Sequence, residues 1–379
     1  MTKLYIIRHA EAEGNLYRRG QGHFDGEVTP QGYLQIQALA ERFKDISIDA
    51  LYSSDLSRTI ATAGAITKHS SVEIRQTPAL RELYMGAWED RAWGDLEYEN
   101  PAQMYNFNSD PVNWVIPEAE RVADLAQRMT AAVEAIANAH INKTVAIVSH
   151  GMAIRVLLCI LRGYGLNQIG EIHHSDNTAV SLIEYDGENF NIVFMNDNSH
   201  LSDEISTLAK QSWWRNERGT DIENLRFVPI DLSAERRFYI DCYADTWIQS
   251  NGSLDGFEPE YCYMRAAEHC SEYPEALMRA MAGDEPAGVI ELSPKRGEAE
   301  GYGWITLCYM LPEFRSRGLG VQLIGHAVSF FRKLGRSAVR LHVTETNIRA
   351  IRFYERHGFM AIGAELTARS RLILMEKKI

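Results

Sequence analysis

Leu4-Tyr5-Ile6-Ile7-Arg8-His9 is the first apolar run of the chain, and it ends on a charged pair. Four apolar residues are too few for a membrane span or a secretion-signal core, so the run reads as a buried strand. Thr144-Val145-Ala146-Ile147-Val148 is β-branched in the same way and ends in Ser149-His150-Gly151 ahead of an apolar helical stretch. In an open α/β sheet the side chains just past the carboxyl ends of the strands form the ligand crevice. Two histidines delivered at equivalent ends can face one another across it. A third strand, Ala50-Leu51-Tyr52, runs into Ser53-Ser54, and Arg58 then falls in the opening turn of the next helix. There a guanidinium lies beside backbone N–H groups already suited to an anion.

Outward from these three ends the pattern is strand, helix, strand. Pro30–Phe43, Ser57–Thr67, Ala123–Ala139 and Met152–Leu161 carry helical periods, and Val180–Tyr185 with Phe190–Met195 read as a closing hairpin. Alternation of this kind implies crossover units and a mainly parallel sheet, in a three-layer α/β domain. The pattern lapses at 202–224, which reads as a boundary region with some helix; Trp213-Trp214 within it reads as buried core. A second α/β pattern then begins, with strands expected at Arg226–Ile230, Ala287–Leu292, Gly303–Met310 and Ala338–Val343. Helices are expected near Ala234–Gln249, Glu260–Met281, Gly318–Lys333 and Arg349–His357, before two last strands. The expected division is a first domain over 1–201, a linker over 202–224 and a mixed α/β domain over 225–379.

Composition narrows the classes. The 379 residues suit two domains. A formal charge of −12 argues against general affinity for nucleic acid or anionic lipid. No apolar stretch of membrane-spanning length occurs, so a cytoplasmic protein is expected. The five cysteines form no C-x-x-C pair, which points to reduced thiols rather than a zinc site or disulfide framework. His173-His174 lacks a partner at ligand spacing and reads as a loop or strand start, so no metal is expected.

Arg8, His9, Arg58 and His150, completed by a carboxylate, suit a phosphate dianion. Guanidinium groups hold its oxygens and a neutral imidazole attacks phosphorus. Glu82, in Leu80-Arg81-Glu82-Leu83, is the best-placed acid for the leaving alkoxide. Together, Arg8-His9-Ala10-Glu11 with Asn15, Ser54-x-Leu56-x-Arg58, Leu80-Arg81-Glu82 with Gly86-x-Trp88-Glu89, and Ser149-His150-Gly151 resemble the histidine phosphatase superfamily, the phosphoglycerate-mutase-like proteins. The resemblance covers about residues 1–200. It implies that His9 becomes phosphorylated, that Arg8, Arg58 and His150 bind the phosphoryl group, that Glu82 is acid and base, and that Asn15 assists. Gln21, Gly22 and Gly151 are implied to lie against the substrate. Ala10, in place of the usual glycine, and Gly14, where a bulkier residue is common, depart from the pattern without removing a reacting group. The short stretch between Glu82 and His150 looks like the phosphatase branch; mutase-type phosphoryl transfer is the alternative.

In the second half, strand Gly303–Met310 leads into Arg315-Ser316-Arg317-Gly318-Leu319-Gly320 and a long helix. Glycines admit close backbone approach, and a helix start offers N–H groups to a pyrophosphate. With Val343-Thr344-Glu345-Thr346-Asn347 and Ala350–Phe359 following, about residues 225–379 resemble the GNAT acyltransferases. That resemblance implies acetyl-CoA held by Arg315, Arg317, Gly318, Leu319 and Gly320, its pantetheine arm paired with Tyr309 and Met310, and a contact from Asn347. Tyr354 is implied to protonate the departing thiolate. Glu291 and His342 are both candidates for the base that takes the proton of an amine acceptor. The expectation is therefore a bifunctional enzyme, a phosphomonoesterase joined to an N-acetyltransferase. The alternative keeps one working enzyme and makes the other domain a ligand sensor.

Overall fold

The computed structural model describes residues 1–211, 224–367 and 369–379. Trp213 and Trp214, with most of the expected linker, lie outside these residues. The chain divides into two compact units, Met1–Arg91 with Leu96–Gly219, and Ala92–Asp95 with Thr220–Ile379.

The first unit begins with β1 (Thr2–Arg8) and α1 (Glu13–Tyr17). Then α2 (Pro30–Phe43) starts where the Thr29 hydroxyl accepts the Gly32 N–H and Pro30 occupies the first turn. β2 (Ala50–Ser53), α3 (Ser57–Thr67) and the short β3 (Ile74–Gln76) follow. The stretch towards residue 117 carries α4 (Trp93–Glu99), whose first residues are counted with the second unit, and α5 (Pro101–Ser109). Its ends are tied together where the Ala87 N–H meets the Pro117 carbonyl. Gly86, at φ +54°, has no room there for a β-carbon. Next come α6 (Val122–Ala139), β4 (Thr144–Ser149), α7 (Gly151–Leu161) and the hairpin β5 (Val180–Tyr185) and β6 (Phe190–Asp197).

The sheet order is β3-β2-β4-β1-β5-β6, parallel through β1 and antiparallel at β5 and β6. Val145–Val148 are fully buried, as expected of a central strand covered on both faces. Leu39 and Phe43 of α2 and Ile66 of α3 pack on Ile7, Leu51 and Val148. Register decides the site: Ile7 pairs with Val148 and Arg8 with Ser149, so His9 and His150 leave the sheet side by side. Ser206 and Thr207, from the stretch read as a boundary, are buried in this unit.

The second unit runs β7 (Leu225–Pro229), α8 (Leu232–Asn251), α9 (Pro259–Glu272), β8 (Leu277–Ala282), β9 (Glu285–Ser293) and β10 (Tyr302–Met310). It continues with α10 (Val321–Lys333), β11 (Ala338–Thr344), α11 (Ile348–Arg356), β12 (Met360–Leu366) and β13 (Arg371–Lys378). The Asp231 carboxylate caps α8 and Gly252, at φ 80°, ends it. The helix expected over Glu260–Met281 stops at Glu272, because Pro274 cannot continue it, and Leu277–Ala282 is a strand instead. Likewise α10 begins at Val321, since Gly318 takes φ 79°. The sheet order is β12-β13-β11-β10-β9-β8-β7, antiparallel except for β10 beside β11. Those two strands pair only from Tyr302/Ala338 to Trp304/Arg340, then part. A bulge between Ile305 and Leu307 bends β10 at that place.

Candidate functional sites

His9 and His150 lie with ring centroids 5.3 Å apart. His9 Nδ1 is 2.7 Å from the Ala10 carbonyl, which can only accept, so Nδ1 carries the proton and Nε2 keeps its lone pair. Burial, then the charges of Arg58 and Arg8, hold the His9 imidazole well below its ordinary 6.5. Burial and Arg58 do the same to His150. Both rings are therefore neutral at pH 7, and His9 has the protonation state of a nucleophile.

Arg58 is fully buried. Its Nη1 donates to the Phe24 carbonyl at 2.9 Å and its Nη2 to that of Gly22 at 2.7 Å. The loop 21–24 is thus folded onto the guanidinium. Gly22 is required in it, since a β-carbon would fall 2.4 Å from the Leu83 carbonyl oxygen and 2.3 Å from Glu89 Oε1. Arg8 donates from Nη1 to the Ser175 carbonyl. Gly151 sits against its guanidinium, 3.2 Å from Nε to the place of an added β-carbon. The Nε of Arg8 and of Arg58 and both ring nitrogens of His150 are buried and have no hydrogen-bond partner among the described residues. Buried polar atoms are ordinarily satisfied, so nitrogens left open around His9 describe a cradle for an anion.

Glu82 caps the helix that His150 begins. Its Oε1 accepts the N–H groups of Leu83 (2.9 Å) and Ala153 (2.8 Å), and its Oε2 accepts that of Met152 (2.9 Å). Arg128 of α6 fixes its backbone, donating to the Glu82 carbonyl at 2.8 Å while paired with Glu120. Asn15 and Gln21 have bracing partners in this structure. Asn15 Oδ1 accepts the Ala12 N–H at 3.1 Å, and Gln21 Oε1 accepts the Gly14 N–H at 3.1 Å. The Gln21 side chain fills the place where a β-carbon of residue 14 would lie, which explains the glycine there.

Sequence reading missed several supports. The Asn177 Nδ2 holds the His9 carbonyl at 2.9 Å. Asp176, whose charge acts on Arg8, accepts from Ser206 at 2.5 Å and from the Thr207 N–H at 3.1 Å. His23 Nε2 lies 3.0 Å from the Glu82 carbonyl oxygen. The run Ser175-Asp176-Asn177-Thr178, polar immediately before an apolar strand, was the available signal for the first two. Among the described residues no three His, Cys, Asp or Glu are grouped to hold a metal. His174 is half-buried in a loop, pushed down to about 3 by burial and by Arg155 and Arg8.

The two histidines also set an acid limit. Their folded values lie below the unfolded 6.5, so their cost is absent above pH 6.5 and grows as pH falls below it. Each is expected to remove about 1 kcal/mol per pH unit in that window. The melting temperature of the first unit therefore drops between pH 6.5 and 5, and His150→Gln flattens the drop. An unchanged slope in that variant would refute the neutral buried ring.

In the second unit, Ser316 (φ 62°) and Gly318 (φ 79°) are left-handed while Arg317 between them is not. Such alternation turns successive N–H groups inward, an anion-binding concavity at the start of α10. Gly320 lies against Phe353 of α11, and Arg349 donates to the Ser316 hydroxyl at 3.1 Å. Leu319 is buried and Arg317 lies over Phe314. Arg315 is turned away from the loop, donating to the Met310 carbonyl (2.8 Å) and to Asp245 (2.9 Å), which also accepts the Tyr309 hydroxyl at 2.7 Å. The Asn347 side chain caps α11 through the Ala350 N–H. Tyr354 is buried with its hydroxyl against the Cys308 thiol. Burial and that thiol hold it well above its ordinary 10, so it stays a proton donor.

Residues 4–198 match the family model of the histidine phosphatase superfamily (branch 1), and the chain belongs to that superfamily. Residues 236–359 match the acetyltransferase (GNAT) family, so one chain carries both domains. Among curated relatives, the putative phosphoserine phosphatase 2 of Hydrogenobacter thermophilus is 30% identical over 200 residues, 53% of this chain and 98% of its own length. A probable phosphoglycerate mutase GpmB of Proteus mirabilis is 32% identical over 208 residues, 54% and 96% of the two chains. The solved structure of Bacillus stearothermophilus YhfR superposes with a TM-score of 0.51 at 30% identity, covering 53% of this chain and 99% of its own. No helix among the described residues is long and apolar enough to cross a membrane.

Proposed function

We propose that the chain is a bifunctional enzyme. Its first domain, 1–201, hydrolyses small phosphomonoesters through a phosphohistidine. Its second, 225–379, transfers an acetyl group from acetyl-CoA to an amine. The observation that carries the first half is the set of unpartnered buried nitrogens of Arg8, Arg58 and His150 around a neutral His9. A phosphoryl dianion supplies the acceptors these donors lack. His9 Nε2 attacks phosphorus, Glu82 gives the leaving alkoxide its proton, and the same carboxylate then takes a proton from the water that cleaves the phosphohistidine. Asn15, Gln21, Gly22 and Gly151 keep the walls of the site in place and border the ester. The phosphatase name of one relative supports hydrolysis. The mutase name of another gives the second reading, which transfer of phosphate between two sugar-acid hydroxyls would reveal.

For the second half the carrying observation is the concavity at 316–320 beside parted strands. Arg317, Gly318, Leu319 and Gly320 would hold the pyrophosphate, with Arg315 released from Asp245 to join them. Tyr309 and Met310 would pair with the pantetheine arm, and Asn347 would border the cofactor while capping α11. When bound, acetyl-CoA supplies the activated acyl group; Tyr354 protonates the departing sulfur. Gly318→Glu introduces a charge and a strained left-handed residue into the loop. Acetyl-CoA is expected to raise the melting temperature of the wild type by several degrees and to leave this variant unshifted. A wild type that shows no shift contradicts the cofactor assignment.

A further inference from the structure

The face of the second sheet towards α8 and α9 carries a cluster around the opening between β10 and β11. Trp304 is the last residue of β10 paired with β11, and His342 stands two residues beyond its partner Arg340, on the same face. Their rings meet edge to face with centroids 4.8 Å apart. Trp304 is buried, and the Arg296 guanidinium lies 3.3 Å from its ring centroid. Arg296 is itself exposed and makes no ion pair among the described residues. His342 Nε2 is buried and makes no hydrogen bond among the described residues, and the Glu365 carboxylate on β12 lies 3.5 Å away, close enough to pair with a protonated ring.

Glu291 is differently placed. It is fully buried and accepts the Tyr239 hydroxyl at 2.8 Å, Arg265 at 3.3 and 3.4 Å, and lies 3.0 Å from His269 Nδ1. That carboxylate fastens α8 and α9 to the sheet and neutralises Arg265. Of the two base candidates, His342 is the one whose Nε2 makes no hydrogen bond among the described residues.

We infer that this cluster is the acceptor site, and that the acceptor is an amine carrying a carboxylate, an amino-acid-type molecule. Arg296, stacked on Trp304, holds the carboxylate, and His342 Nε2 takes the amine's proton. The inference rests on the reading of this unit as an acetyl-CoA-dependent transferase. The guanidinium points to the ligand. Arg265 is taken up by Glu291 and the Glu365 carboxylate lies against His342, whereas Arg296 makes no ion pair among the described residues and can receive one carboxylate. The phosphate cradle of the first unit, by contrast, has two arginines. Exposure of Arg296 leaves the carboxylate a path from solvent, and a guanidinium resting on a ring keeps its edge N–H groups available. The acceptor nitrogen bonds to the acetyl carbon and loses its proton to His342. The carbon–sulfur bond breaks, and the sulfur takes a proton from Tyr354. Three elements face the imidazole: Trp304 of β10, Glu365 of β12 and Arg296 from the turn after β9. Burial holds it below 6.5 against the opposing pull of Glu365, so it is unprotonated at pH 7.

The test uses the full chain with acetyl-CoA and a panel of amino acids paired with their carboxamides, following thiol release. A parallel series measures the melting temperature with each amine alone. Amino acids are expected to exceed their amides at least tenfold in kcat/KM and to be the only amines that shift melting. Arg296→Gln is expected to raise KM for the amino acids about 10- to 100-fold and for the amides by a much smaller factor, so that the preference between them collapses, with Arg296→Lys recovering part of the loss. His342→Gln is expected to lower kcat and remove the acidic limb of the pH profile. Preference for amides or polyamines, or an Arg296→Gln variant equal to the wild type, overturns the inference. If no amine turns over, the melting series decides it alone. Absence of any acetyl-CoA shift sinks the transferase reading instead, and so separates the two failures.

Discussion

His9→Ala lowers turnover of every phosphate ester by about 10⁴-fold or more and abolishes the acid-labile phosphoryl-enzyme trapped on rapid quenching. Loss of a nucleophile removes the covalent route as a whole, and its effect is of this order because the remaining groups cannot act without it. Arg8, Arg58 and His150 still bind phosphate, so phosphate protection against heat persists in the variant. His9 is buried beside the sheet end, and alanine leaves a cavity lined by polar nitrogens, which costs little stability compared with an apolar void. The acetyl-CoA shift of the second domain is unchanged. Stopped-flow turnover, phosphohistidine trapping and the two melting shifts check these outcomes together. Retained turnover in His9→Ala would remove the mechanism, whatever the binding results.

Glu82→Gln has the second largest effect, and it depends on the leaving group. A positioned acid contributes typically 10²–10⁴-fold, and an alkoxide needs its proton far more than a nitrophenolate does. The variant is expected to lose about 10³-fold on alkyl phosphates and less than about tenfold on nitrophenyl phosphate in the phosphorylation step. The amide also disturbs the helix cap. The carboxylate accepts three backbone N–H groups, whereas an amide must turn its NH₂ towards Met152 or towards Leu83 and Ala153. A loss of roughly 1–3 kcal/mol in stability accompanies the change. Equal losses on both esters would show that Glu82 holds α7 in place without donating the proton.

Much of the site was legible because its residues sit where the chain pattern changes. Arg8-His9 and Ser149-His150 follow apolar strands, and Arg58 follows a strand and opens a helix, so local periodicity located all three. The helical periods over Pro30–Phe43 and Ser57–Thr67 coincide with α2 and α3, and Thr29 with Pro30 fixes the start of the first. The helix expected over Glu260–Met281 merges a helix and a strand that are both apolar on one side, and the single Pro274 is what separates them. The residues that brace the site, Asp176, Asn177, Ser206, Thr207 and Arg128, were not legible. They act through partners distant in sequence, as when Thr207 reaches the Glu11 carboxylate 196 residues away.

By itself the sequence determined most of the elements and which candidate groups stand at their ends, because periodicity and capping are local. It also determined two families in one chain, through motifs in fixed order. Tertiary structure alone decided the state of those groups. His9 is neutral with its lone pair on Nε2 because the sheet buries it and Ala10 takes its Nδ1 proton. Glu82 and Glu291 are both buried carboxylates at candidate sites, yet one caps the helix behind His150 while the other is taken up by α8 and α9. That difference depends on which donors long-range packing brings within 3 Å, and no spacing along the chain records it.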